Sequence, residues 1–97
     1  MHFFYVLYSL KDGRLYKGYS SNLLNRIQQH NNGRTTSTKH RRPLILLYFE
    51  IFDNKKEATQ REAWAKSLEG GSELRQLLIQ KNLLNTKGKL NIRCAAE

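Results

Sequence analysis

Five side chains in this sequence could share one phosphate-handling site: Tyr5, Tyr16, Arg26, His30 and Glu62. Arg26 and His30 are four apart in a helix-like segment, so they stack on one face. Leu23, Leu24 and Ile27 occupy the neighbouring face and would dock on a sheet, which leaves Arg26 at the flank of the packed stripe. A guanidinium placed there can reach a phosphate with two parallel hydrogen bonds. Glu62 falls on the same helical face as Ala58 and Ala65, beside Arg61 and Leu68. A carboxylate among residues that should face a sheet is costly unless it is paired or bound to a cation. Two partners suit it: Arg26 in an ion pair, or Mg²⁺ held by one carboxylate, waters and a substrate phosphate. Each residue also has a plainer use, since strand tyrosines pack across strands and exposed Arg, His and Glu form ordinary salt bridges. Types and spacing leave both open.

The elements that must position these residues are readable in outline. Residues 3–10 and 14–20 are rich in β-favouring types, and the Asp12-Gly13 pair between them is a strong hairpin signal of the type I′ kind. With those two as the turn, Lys11 pairs with Arg14, Ser9 with Tyr16 and Tyr5 with Ser20. Side chains alternate along strands, so Tyr5, Leu7 and Ser9 share a face with Tyr16, Gly18 and Ser20. Two phenols then look the same way, and Gly18 leaves room for a phosphate.

Ser20, Ser21 and Asn22 offer caps for a helix to about residue 31, closed by Gly33. Residues 34–43 form a polar, basic loop without periodicity. The apolar run over 44–52 reads as the central strand. A second helix starts at Asp53-Asn54, with Glu57 placed for a capping box, and runs to about residue 68. Gly70-Gly71 breaks it, and Ser72 caps a third helix whose stripe is Leu74, Leu77 and Leu78. The order is β-β-α-β-α-α, a single α+β domain over residues 1–82 with a three-stranded, largely antiparallel sheet. Residues 83–97 are an edge segment or a loose tail.

Composition names the partner class. Seventeen Lys and Arg against eight Asp and Glu give a net charge of +9 on 97 residues, which favours a polyanion. The loop over 35–42 has hydroxyls and cations suited to phosphate contact, with Thr38, Lys39, Arg41 and Arg42 as candidates and Lys17 and Gly18 beside them. No recognition helix or zinc finger is present, so little sequence specificity is expected. No apolar run approaches the roughly 20 residues that span a bilayer, and the start lacks a basic leader and cleavage site, so no membrane partner and a cytoplasmic location are expected. The single cysteine, Cys94, can form no internal disulfide or zinc site and reads as an inert thiol. No serine stands in a Gly-x-Ser-x-Gly setting, which sets aside that route to hydrolysis.

Taken in order, Tyr5, Tyr16-Lys17-Gly18, Arg26 with His30, and Glu62 on a later helix resemble the GIY-YIG endonuclease superfamily. Phe3-Phe4-Tyr5 stands where its first motif would be, and Tyr16-Lys17-Gly18 where its second would be. The stretches YVLYSLKDGRLYKGYSSNLLNRIQQHNNG, STKHRRPLILLYFEIF and ATQREAWAKSLEGG are similar to the small, single-domain bacterial branch related to the catalytic part of the UvrC excision nuclease. The likeness covers roughly residues 3–80. Phe3 and Phe4 depart from Gly and Ile, Lys17 departs from Ile, and no Asn stands at a clear match downstream of Glu62.

The resemblance implies metal-dependent phosphodiester hydrolysis in DNA rather than RNA, directed by structure, in the manner of a repair nuclease. Glu62 would anchor one Mg²⁺ or Mn²⁺, Arg26 would clamp the phosphate, and Tyr5 and Tyr16 would position or activate water. A phenol titrates near ~10 in water and an imidazole near ~6.5, so Tyr5 and His30 both stand as the general base. Larger relatives add a binding domain, and its absence here implies structure-directed recognition or a partner protein that supplies targeting. The altered tripeptides keep two other readings in play, a catalytically weak or inactive nucleic-acid-binding module and a basic RNA-handling protein.

Overall fold

The computed structural model describes residues 1–91. Strands β1 (His2–Ser9), β2 (Leu15–Ser20) and β3 (Leu44–Phe52) form one antiparallel sheet in the order β2-β1-β3. Helix α1 (Leu23–Asn31) follows β2, and α2 (Lys55–Lys66) and α3 (Leu68–Gln80) follow β3. The α+β class and the β-β-α-β-α-α order are as expected, with a short 3-10 turn, Lys39–Arg41, added before β3.

The central strand is β1, not the 44–52 run. Phe4, Val6 and Tyr8 on one face of β1 and Tyr5, Leu7 and Ser9 on the other are all buried. Residues 44–52 are apolar except for Glu50, yet they lie at an edge, where Phe49 and Ile51 stay 43% and 55% exposed. An apolar run reports burial on average and not neighbours on both sides, which only β1 has.

The sheet separates two cores. Phe4, Val6 and Tyr8 pack with Ala65 of α2, Leu74 and Leu78 of α3, and Leu84. Tyr5 and Leu7 pack with Leu23 of α1 and Leu44. Leu84 is 1% exposed and bridges to Leu90, so the chain past α3 contributes to the first core. Cys94 lies outside the described residues.

Two local expectations are corrected. The β1–β2 register is displaced by two residues: Tyr5 pairs with Gly18 and Leu7 with Tyr16, so Ser9 is not opposite Tyr16 nor Tyr5 opposite Ser20. The amide of Ser9 donates to the Arg14 carbonyl and that of Gly13 to the Ser9 carbonyl, closing a four-residue loop in place of a type I′ turn. Ser9 Oγ accepts from the amides of Lys11 and Asp12, which holds Leu10 to Gly13 as loop, and Gly13 alone takes positive φ there (70°). A displacement of two keeps every side chain on its face.

The second correction is that Gly70 and Gly71 lie inside α3. The chain turns at Ser67, whose hydroxyl caps α3 by accepting from the Gly70 amide at 3.0 Å. A Cβ on Gly70 would sit 1.7 Å from the Trp64 carbonyl oxygen, so the glycine permits close helix approach and does not break a helix. Asn54 and Glu57 form the expected capping-box-like pairing of α2, Asn54 Oδ1 accepting from the Glu57 amide and Asn54 Nδ2 donating to the Glu57 carboxylate.

Candidate active site

The site is built where α1 crosses the β1–β2 hairpin. Asn22 caps α1 by accepting from the Asn25 amide. At the other end the Gly33 and Arg34 amides donate to the carbonyls of His30 and Gln29, with Gly33 at φ 76°, a Schellman closure. The Asn31 side chain pairs with both the amide and the carbonyl of Leu44, at 2.9 and 2.8 Å. Together these contacts fix where His30, one residue earlier, meets the sheet.

His30 is completely buried between the two tyrosines. Its ring centroid lies 5.9 Å from Tyr5 and 4.9 Å from Tyr16, and the two phenol rings are 6.4 Å apart. His30 Nε2 is 2.9 Å from the Tyr5 hydroxyl, and Nδ1 is 2.7 Å from Thr38 Oγ1. Thr38 is itself buried and leans on the Thr35 carbonyl at 3.5 Å. With Thr38 donating onward, the network assigns the imidazole proton to Nδ1, so Nε2 accepts from the Tyr5 hydroxyl. Gly18 completes the packing, because a Cβ there would lie 2.5 Å from the Tyr5 ring carbon and hydroxyl. The glycine is filled space, not the open gap that the strand pattern suggests.

Burial governs the proton affinities. It pushes the Tyr5 phenol up to about 12, although a hydrogen bond from Arg26 and the Arg26 charge pull the other way, with Tyr16 and Glu62 raising it further. Burial also pushes His30 down to about 4, with the Arg26 charge adding to the effect. At neutral pH Tyr5 is a phenol and His30 a neutral imidazole.

A stability prediction follows from His30. Its folded value lies below the usual 6.5, so the unfolded chain binds the extra proton between those limits. Stability attributable to this residue is complete above about pH 6.5 and is lost as pH falls towards about 4, by up to about 3 kcal/mol. The thermal midpoint of the wild type should therefore drop across that window, and His30→Gln should flatten the drop. Parallel curves for the two proteins would refute it. Asp12, held down to about 2 by Arg41 above all, titrates below this window.

Glu62 does not pair with Arg26. Its carboxylate meets Lys66 one helical turn on at 2.7 Å, and the Arg26 guanidinium donates to Gln29 at 3.0 Å. Both nevertheless act electrostatically on the Tyr5 phenol, which places them around it. Among the described residues no three His, Cys, Asp or Glu side chains form a metal-holding group. A hard cation at this site would have Glu62 as its protein carboxylate and would need waters and a phosphate to complete its shell.

The binding candidates divide. Lys39 and Arg42 flank a cleft of about 580 Å³ with Lys11, Asn31 and His40. Arg41 instead braces the hairpin, bonding Asp12 at 2.9 Å and the Leu15 carbonyl at 3.3 Å. Thr38 is drawn inward as the second partner of His30, away from the loop surface expected for it. Lys17 lies on the opposite strand face from Tyr16 and Gly18, next to Gly71 of α3. The spacing of Glu62 and Lys66 made their pairing legible in the sequence, whereas the Thr38–His30 bond carries no local signal.

The geometry thus joins two hairpin tyrosines to a helical histidine, with arginine and glutamate charges acting on one phenol, on a small α+β domain. The chain belongs to the GIY-YIG family, a nuclease superfamily: residues 1–72 match the GIY-YIG catalytic domain. It is 43% identical over 84 residues to a UPF0213 protein of Clostridium perfringens, covering 86% of this chain and 88% of that one. A UPF0213 protein of Pediococcus pentosaceus is 43% identical over 76 residues, 77% and 79% of the two chains. The solution NMR structure of a UPF0213 protein from Bacillus halodurans is 33% identical, covers 78% of this chain and 83% of its own, and superposes with a TM-score of 0.49. No helix among the described residues is long and apolar enough to cross a membrane.

Proposed function

We propose that this protein is a divalent-cation-dependent endonuclease that hydrolyses phosphodiester bonds in DNA, choosing substrates by structure rather than sequence. One observation carries the reading: the Tyr5 phenol, in a chain of a nuclease family, is where His30, Tyr16, Arg26 and Glu62 converge. Mg²⁺ or Mn²⁺ on Glu62 would supply charge stabilisation at the scissile phosphate and the departing oxygen. Arg26 clamps a non-bridging phosphate oxygen. Tyr16, whose hydroxyl has no hydrogen-bond partner among the described residues, positions the attacking water. Tyr5, His30 and Thr38 stand behind it as a hydrogen-bonded chain that fixes the Arg26 side. The water oxygen bonds to phosphorus and releases a proton to solvent, the bond to the 3′ oxygen breaks, and that oxygen takes a proton from solvent, leaving 5′-phosphate and 3′-hydroxyl ends.

Lys39 and Arg42 grip flanking phosphates from the loop. The reading extends to a repair-type role in the cytoplasm, with a partner protein supplying targeting. The test is cleavage of labelled duplex, single-stranded, flap and branched DNA in Mg²⁺, in Mn²⁺ and in chelator. Cutting that needs the cation and favours branched forms is expected. Binding without cutting on any substrate would replace the enzyme with a nucleic-acid-binding module, and preferred action on structured RNA would move the substrate class.

A further inference from the structure

The site described above uses few of the chain's cations. Six others or neighbours, Arg14, Lys17, Lys66, Arg75, Lys87 and Lys89, line two adjoining clefts of about 320 and 390 Å³ that share Lys17, Gly71 and Arg75. Among the described residues, no carboxylate and no aromatic ring lines either one. The trough starts at Lys66, whose ammonium holds Glu62 at 2.7 Å, and runs between β2 and α3 to the turn at residues 87–89.

That turn is built, not trailing. Asn85 Oδ1 accepts from the amides of Lys87 and Lys89 at 2.9 and 3.0 Å, and Gly88 takes φ 78°. Lys89 Nζ reaches the Gly13 carbonyl at 3.4 Å, tying the turn to the hairpin loop. Among the described residues Arg14, Lys17, Arg75, Lys87 and Lys89 make no ion pair. Lys17 is half-buried, and burial together with the charges of Arg75 and Lys66 weakens its hold on its proton. Cations gathered without counter-charge favour an anion between them.

We propose that this trough holds the phosphodiester backbone of the nucleic-acid strand running on from the candidate active site, contacting consecutive phosphates and no bases. That the strand arrives from Glu62 rests on the nuclease reading; the affinity for phosphates does not. The absence of stacking rings among the described lining residues separates this trough from grooves that splay bases onto aromatics.

The test is binding in chelator, where nothing is cut, to a short duplex with and without a single-stranded extension of increasing length. For the wild type, the extension should tighten binding about tenfold or more and steepen the salt dependence by about two in log–log slope. Arg75→Gln/Lys87→Gln/Lys89→Gln should lose both gains, and Arg75→Lys/Lys87→Arg/Lys89→Arg should restore them. All three side chains are exposed, and Arg75→Gln alone gives a smaller loss in the same sense should the triple variant fold poorly. An extension gain equal in variant and wild type, or none in the wild type, overturns the proposal. A wild type that shows the gain but cuts nothing in Mg²⁺ keeps the trough and sinks the nuclease; one that cuts without the gain does the reverse.

Discussion

Glu62→Ala should lower cation-dependent cleavage about a thousandfold or more while binding survives. A hard cation at a transferring phosphate is worth several kcal/mol of transition-state stabilisation, and about 4 kcal/mol corresponds to a thousandfold in rate. Glu62 is the one carboxylate that acts on the Tyr5 phenol, and among the described residues no cluster of three His, Cys, Asp or Glu side chains offers the cation another site. The substitution leaves the fold alone. Glu62 meets Lys66 in a surface i,i+4 pair with side-chain exposures of 23% and 51%, and such pairs contribute roughly 0.3–0.5 kcal/mol. Binding should hold or tighten, because removing an acidic group from a chain of net charge +9 adds to the attraction for phosphate. The decisive comparison is cleavage rate in Mg²⁺ beside affinity in chelator for the two proteins. Equal cutting by wild type and variant would remove Glu62 from the chemistry.

What the sequence disclosed, and what it hid, divides along the range of the interactions. Local signals held: Asn22 and Gly33 bound α1, Asn54 with Glu57 opens α2, and strand alternation puts Tyr5, Tyr16 and Gly18 on one face. The register failed by two residues because Ser9 Oγ takes the amides of Lys11 and Asp12 and a distant residue braces the loop so formed. Arg41, far along the chain, takes Asp12 and thereby holds open a loop that Asp-Gly alone would close tightly. Gly70 misled for a similar reason, since its need is the Trp64 carbonyl of another helix and not a turn of its own. Thr38 looks like a surface hydroxyl in a basic loop until a buried imidazole is seen to need a second partner. The order of β1 and β3 also depended on pairing, which composition does not encode.

The two tyrosines look equivalent by face and spacing, yet their phenols should fail differently when removed. The Tyr5 hydroxyl is buried and bonded to His30 Nε2, whose other nitrogen is already committed to Thr38. Tyr5→Phe strands a buried ring nitrogen, which costs about 1–3 kcal/mol and lowers the thermal midpoint by at least roughly 5 °C for a chain of this size. Tyr16 touches the same imidazole only through its ring, and its hydroxyl bonds to no described residue. Tyr16→Phe should thus leave the midpoint within a degree or two of wild type while cleavage falls on the order of a hundredfold, the scale of a lost proton-transfer or water-positioning group. His30→Gln tests the same division. If His30 acts only through Tyr5, the double variant His30→Gln/Tyr5→Phe cuts no more slowly than the slower single, because both belong to one chain of hydrogen bonds. Independent, multiplying losses would instead put His30 in direct contact with the reaction. A Tyr16→Phe protein that cuts at the wild-type rate would hand the water to Tyr5, and would require its buried hydroxyl to open to substrate before any bond is broken.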